Sequence, residues 1–204
     1  MGSERRVVLH DVSWATFQAL SRESTGGRLA YDRGTLEIMS PSREHESIKG
    51  LIGRLVEIYT EELNIDIASG GSTTLGREDL HRGIESDESY YIANAPTVRG
   101  KGEIELPIDP PPDLVIEVDI SRSSVNKLEI CRSLGIGEVW RYHDGRIEVH
   151  VLREHGNYET VETSRVLPRF PLAEVPRLLE LRSEQSETQI ARSFRAWVRE
   201  HRGD

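Results

Sequence analysis

PDLVIEVDI, residues Pro112 to Ile120, is the stretch that decides the fold. It is apolar and β-branched enough to form a buried strand, and along a strand the side chains alternate between two faces. Leu114, Ile116, Val118 and Ile120 therefore point one way, and Asp113, Val115, Glu117 and Asp119 point the other. Three carboxylates on one face repel each other, and an ionised carboxylate without water or a partner is costly. A cation relieves both costs. The turn SRSS then leads into a helix whose first turn carries Lys127. Acids at the end of a strand beside a lysine suit metal-assisted cleavage of a phosphodiester.

The rest of the chain bounds this reading. With 204 residues, 36% apolar and 30% charged, it reads as one globular domain, a core over about 27–152 and an extension over 153–204. No run approaches the roughly 18 apolar residues of a membrane span. The start, MGSERRVVLHDVSW, shows no leader pattern. A single cysteine, Cys131, excludes an internal disulfide and a cysteine-based metal cluster, which fits a reducing cytoplasm. The net charge of −9 argues against a broad nucleic-acid-coating surface and predicts weak non-specific DNA affinity. An acidic cleft loaded with metal and rimmed by a few arginines can still hold one phosphate.

Outward from the buried strand, hydrophobic spacing predicts a mixed α/β order. Ser13–Ser21 reads as a short helix, and LAYDRGTLEIM as a hairpin turning at Asp32-Arg33-Gly34. A long amphipathic helix is expected from Arg43 to Leu63, with its stripe at Ile48, Leu51, Ile52, Leu55, Ile58 and Tyr59. NIDIAS reads as a strand, Arg82–Ala93 as a strand or strand pair, and Asn94–Pro112 as a surface loop. After the buried strand come a helix over Ser124–Gly135 and a hairpin of EVWRY with RIEVHVL, turning at His143-Asp144-Gly145. A terminal helix spans Ser186–Glu200.

Projected at 3.6 residues per turn, Val125, Leu128, Ile130, Cys131 and Leu134 share one arc of the 124–135 helix, and Lys127 falls inside it. A helical lysine ordinarily snorkels to water. Here the apolar arc and the helix N-terminus both disfavour a cation, so an anionic partner is expected, and Glu117 is the natural one. Asp113 and Glu117 have α-carbons about 13 Å apart, too far to share an ion readily, whereas Asp119 is about 7 Å from Glu117. Asp87, in GIESDESYYI, can reach Glu117 from a neighbouring strand. Asp113 either ligates or bonds the turn after the prolines. His45 either caps the long helix or reaches the cleft as a supporting group or proton carrier. The other histidines show no zinc-like pairing, and no Walker loop, dinucleotide fingerprint or Gly-x-Ser-x-Gly elbow is present.

The succession GTLEIMSPSREHE, GIESDESYYI, PDLVIEVDISRSSVNKLEI and GIGEVWRY, over roughly Gly27 to Leu152, resembles the Uma2 (DUF820) family of restriction-endonuclease-like proteins, abundant in cyanobacteria. The resemblance implies the fold of the PD-(D/E)XK nuclease superfamily, a central mixed β-sheet flanked by α-helices, here with an extra N-terminal helix and hairpin and a C-terminal helix. By motif, Asp87 matches the family's first acid, Glu117 its second, Lys127 a lysine moved from strand to following helix, and His45 the histidine after Ser-Pro. Asp119 stands where the superfamily's Glu-x-Lys places lysine. The expected activity is Mg²⁺- or Mn²⁺-dependent DNA cleavage, with Asp87 and Glu117 on the ion and Lys127 at the reacting phosphate. Cutting both strands of a duplex needs two sites, so a homodimer is expected. The competing expectation is an inactive nuclease fold serving as a regulatory or partner-binding module, which the acidic charge favours.

Overall fold

The computed structural model describes residues 4–23 and 26–201. The chain begins with β1 (Arg5–Leu9), α1 (Trp14–Arg22), β2 (Arg28–Asp32), β3 (Thr35–Ser40) and the long α2 (Arg43–Glu62). Four short strands follow: β4 (Ala68–Ser69), β5 (Thr74–Arg77), β6 (Arg82–Glu85) and β7 (Glu88–Tyr91). After α3 (Ala95–Val98) come β8 (Leu114–Asp119), α4 (Lys127–Ser133), β9 (Glu138–His143), β10 (Arg146–Leu152) and β11 (Tyr158–Val161). The chain closes with α5 (Val175–Glu180) and α6 (Glu187–His201).

These strands make two sheets. The central one has the order β11-β10-β9-β8-β7-β4. It is mixed, since β8 and β9 run parallel across the α4 connection while the other pairs are antiparallel. The second, β1-β3-β2-β6-β5, is antiparallel throughout. The expected central sheet is therefore present. The N-terminal hairpin β2-β3, expected as an extra element, lies in the second sheet with β1, β5 and β6. Residues 82–91 supply one strand to each sheet, and the chain crosses between them at Ser86 and Asp87, both buried.

β8 is buried along its whole length, as its apolar run requires. Leu114, Ile116 and Val118 pack with Ile48, Leu51, Ile52 and Leu55 of α2 and with Phe194 of α6. Each such side chain contributes about 1.5–3 kcal/mol by leaving water. Val115, on the opposite face, packs with Ile130, Cys131 and Leu134 at α4 and with Ala30 and Ile84 of the second sheet. So α4 lies between the two sheets, with its first residue at the C-terminal end of β8. On the far face of the second sheet, Leu29, Tyr31 and Leu36 meet Trp14 and Phe17 of α1. That packing needs glycine at Gly76, where a Cβ would fall 2.8 Å from the Trp14 ring.

Local chemistry explains the boundaries. Both predicted hairpins turn through two residues of positive φ, Arg33 (46°) with Gly34 (95°) and Asp144 (48°) with Gly145 (73°). That is what a two-residue I′ turn demands. Ser42 caps α2 by accepting the His45 backbone N–H, and Asn126 caps α4 by accepting that of Glu129. The strand expected over NIDIAS shrinks to Ala68–Ser69. Asn64 has φ 54°, and the Ile65 N–H still bonds the Thr60 carbonyl, so the helix end occupies that segment. The loop expected from Asn94 to Pro112 contains one short helix, α3. None of the described helices is long and apolar enough to cross a membrane.

Candidate active site

The site forms where β7 stops pairing and β8 continues. The ladder sets Glu88 opposite Ile116, so one step further Asp87 comes opposite Glu117. Asp87 Oδ2 accepts the Val118 N–H at 2.8 Å, so the carboxylate satisfies a donor that the shorter strand leaves open. Asp87 Oδ1 faces His45 Nε2 at 2.8 Å, with Arg28 Nε at 3.5 Å. Lys127 reaches back from the start of α4 and donates to Glu117 Oε2 at 2.7 Å, with Asp119 Oδ1 3.7 Å from the same ammonium. Asp119 Oδ2 takes Arg141 Nε at 2.6 Å. Glu117, Lys127 and Asp119 thus form one cluster and Asp87 with His45 an adjoining one, close enough for the Asp87 charge to act on Glu117 and Lys127.

Asp113 does not join them. At the opposite end of β8 its carboxylate accepts the Ile92 and Asn94 backbone N–H groups at 2.7 and 2.9 Å and the Asn94 amide at 3.0 Å. Of its two expected roles, the structure has turn bonding. The reason is the strand rise, which carries it away from the C-terminal end. His45 likewise does not cap α2 with its side chain, because Ser42 does so.

Burial sets the electrostatics. The Glu117 carboxyl is pushed up to about 7, chiefly by loss of water; Lys127 opposes the shift, and Asp87 and Asp119 add to it. Burial also works against the Lys127 ammonium, yet the charges of Glu117, Asp87 and Asp119 outweigh it and hold its pKa above the ordinary lysine value. For Asp87 burial again pushes upward, but the His45 hydrogen bond and the Lys127 charge hold its carboxyl below the usual range. His45 loses water too, and its contacts with Asp87 and Glu4 nevertheless raise it above an ordinary histidine.

Glu117, Asp119, Lys127, Arg122, Asn126 and Arg141 line a cleft of about 90 Å³, and exposed Arg122 stands at its mouth. Glu117 Oε1 and Asp119 Oδ1 are buried in its wall without a hydrogen-bond donor. Buried carboxylate oxygens lacking donors are what a hard divalent cation accepts. Among the described residues, no group of three or more His, Cys, Asp or Glu is placed to hold a metal. Glu117 and Asp119 could thus offer an ion two carboxylate oxygens, with water and phosphate left to fill its other positions.

Besides Arg28, Arg122, Asn126 and Arg141, three further polar residues near this site escaped the sequence reading. Glu4 bonds His45 Nδ1 through Oε1 at 2.7 Å. Buried Glu37 accepts the Ser124 N–H at 2.6 Å and Arg6 Nη1 at 2.6 Å. Arg6 also donates to the Ser121 carbonyl. Together they fasten the turn between β8 and α4. The available signal was Glu37 inside TLEIM, a charge within an otherwise apolar strand.

A mixed sheet with helices on both faces is consistent with a restriction-endonuclease-like fold. Residues 14–184 match the sequence model of the Uma2 family, described as "Putative restriction endonuclease", and the chain belongs to that family. No curated protein matches the chain.

Proposed function

We propose that this protein is a divalent-metal-dependent DNA endonuclease, with Asp87 and Glu117 holding Mg²⁺ or Mn²⁺ and Lys127 acting on the phosphate. The observation that carries this reading is the buried pair of Glu117 and Lys127. One Glu117 oxygen bonds the ammonium, while the other lies in the cleft wall without a donor. A bound ion supplies Lewis-acid polarisation of the phosphate and a water of lowered pKa. Lys127, kept charged by three carboxylates, stabilises the charge that builds on the phosphate oxygens. Asp119 turns Arg141 into the cleft wall, and Arg122 meets the DNA backbone at the mouth. Two copies acting together cut both strands, in the cytoplasm that the lone thiol of Cys131 fits.

The test is cleavage of plasmid and single-stranded DNA by purified protein with Mg²⁺, with Mn²⁺ and with chelator, beside Glu117→Gln. Metal-dependent nicking that Glu117→Gln loses supports the proposal. Intact DNA with both ions overturns it and favours the partner-binding alternative.

A further inference from the structure

We propose that Glu4 is a positioning residue of this site, fixing Asp87 through the His45 ring. The inference deepens the nuclease reading and rests on it only for the metal. Glu4 lies ahead of the family match, which begins at residue 14, and nothing in the motifs assigns it a role. Yet its carboxylate is buried, with 1% of the side chain exposed, and each oxygen has a separate task. Oε1 meets His45 Nδ1 at 2.7 Å, and His45 Nε2 meets Asp87 Oδ1 at 2.8 Å. Oε2 accepts the Ser121 N–H and Arg6 Nη2, both at 3.1 Å. Hydrogen bonds at both ring nitrogens leave the imidazole one orientation. That orientation holds Asp87 Oδ1 while the Val118 N–H holds Oδ2. The second oxygen ties the same residue to the turn that leads to Lys127. One carboxylate thus links the two halves of the site, acting on a ligand through a ring as supporting groups do in metal sites.

The experiment compares wild type, Glu4→Ala and Glu4→Gln well below their melting temperatures. It reads the His45 ring ¹⁵N signals, the Asp87 carboxyl ¹³C signal and Mn²⁺ affinity by calorimetry. In Glu4→Ala the His45 ring signals and the Asp87 signal should both move, and Mn²⁺ affinity should fall about 10- to 100-fold. If Glu4→Ala does not fold, Glu4→Gln keeps the length, removes the charge, and should shift the same signals in the same direction. A lower melting temperature with unchanged ring, carboxyl and Mn²⁺ readings would show a purely structural role and overturn the proposal. A wild type that binds no Mn²⁺, with His45 and Asp87 still responding to Glu4→Ala, removes the metal reading and supports the positioning role.

Discussion

Lys127 Nζ lies 2.7 Å from Glu117 Oε2, joining the first residue of α4 to the buried strand it follows. Neither partner is comfortable alone. Glu117 is 2% exposed, and the Lys127 side chain is largely buried at a helix N-terminus. Each helps the other stay charged there, with Asp87 and Asp119 adding to the hold on Lys127, so the pair couples stability to chemistry.

Lys127→Met separates the two. The helix projection alone makes this change neutral or stabilising, since methionine suits the apolar arc. The buried carboxylates reverse the sign, because removing one partner of a buried pair costs about 3 kcal/mol or more. For a domain of this size that is a loss of roughly 6–12 °C in melting temperature. The loss should be full at pH 8 and smaller at pH 5.5, where Glu117 takes up a proton instead. DNA cleavage should fall at least ~100-fold. Melting curves at the two pH values and a cleavage rate on the same protein check both parts; full activity in the folded variant would end the role of Lys127.

Metal binding should depend on pH through Glu117. Its carboxyl is raised to about 7, so below that value a cation must displace a proton to bind. Mn²⁺ affinity should rise about tenfold per pH unit below 7 and level off above it. The same shift acts oppositely on the metal-free fold. A raised acid contributes stability that is complete below its unfolded value, near 4.5, and lost as pH rises through about 7. The increase in melting temperature on adding Mn²⁺ should therefore be largest at alkaline pH. An increase independent of pH from 5.5 to 8.5 would remove Glu117 from the ion.

Much of this was legible in the sequence because it rests on local periodicity. The PDLVIEVDI alternation placed Leu114, Ile116 and Val118 against α2, and the helical arc placed Lys127 over Glu117. What was not legible depends on pairing between distant segments. The RRVVL run of β1 is an edge strand with Val7 and Leu9 exposed, so no alternation marks it. The four-residue β5 carries Gly76, which weakens any strand signal. Only the meeting of β1 with β3 brings Arg6 near Glu37 and Ser121, and only the fold brings Glu4 to His45. A lone glutamate near the N-terminus has no spacing to read.

Asp113 should behave as a structural residue. Asp113→Ala leaves two backbone N–H groups and the Asn94 amide without their acceptor. The expected cost is roughly 2 kcal/mol, or about 4–8 °C in melting temperature. Mn²⁺ affinity and cleavage rate should stay at wild-type values below the melting range. A variant that melts normally but loses metal would return Asp113 to the site.

Glu117→Gln should give the reverse of Lys127→Met. Glutamine keeps the shape and can still accept from the ammonium, while the buried ionised carboxylate is gone. Lys127 retains Asp119 Oδ1 at 3.7 Å and the field of Asp87. Stability at pH 8 should therefore stay within about 1 kcal/mol of wild type. Mn²⁺ affinity should fall at least ~10-fold and lose its dependence on pH near 7, since the group that exchanges a proton for the ion is absent. The double variant carries the sharper expectation. With Lys127 already replaced, Glu117→Gln removes the charge left without a partner, so the double should be more stable than Lys127→Met alone. The coupling should be about 1–3 kcal/mol. A double-mutant cycle followed by chemical denaturation at pH 8 measures it. If the two losses simply add, the contact between α4 and β8 does not set the stability of this site, and Lys127 must be charged for another reason.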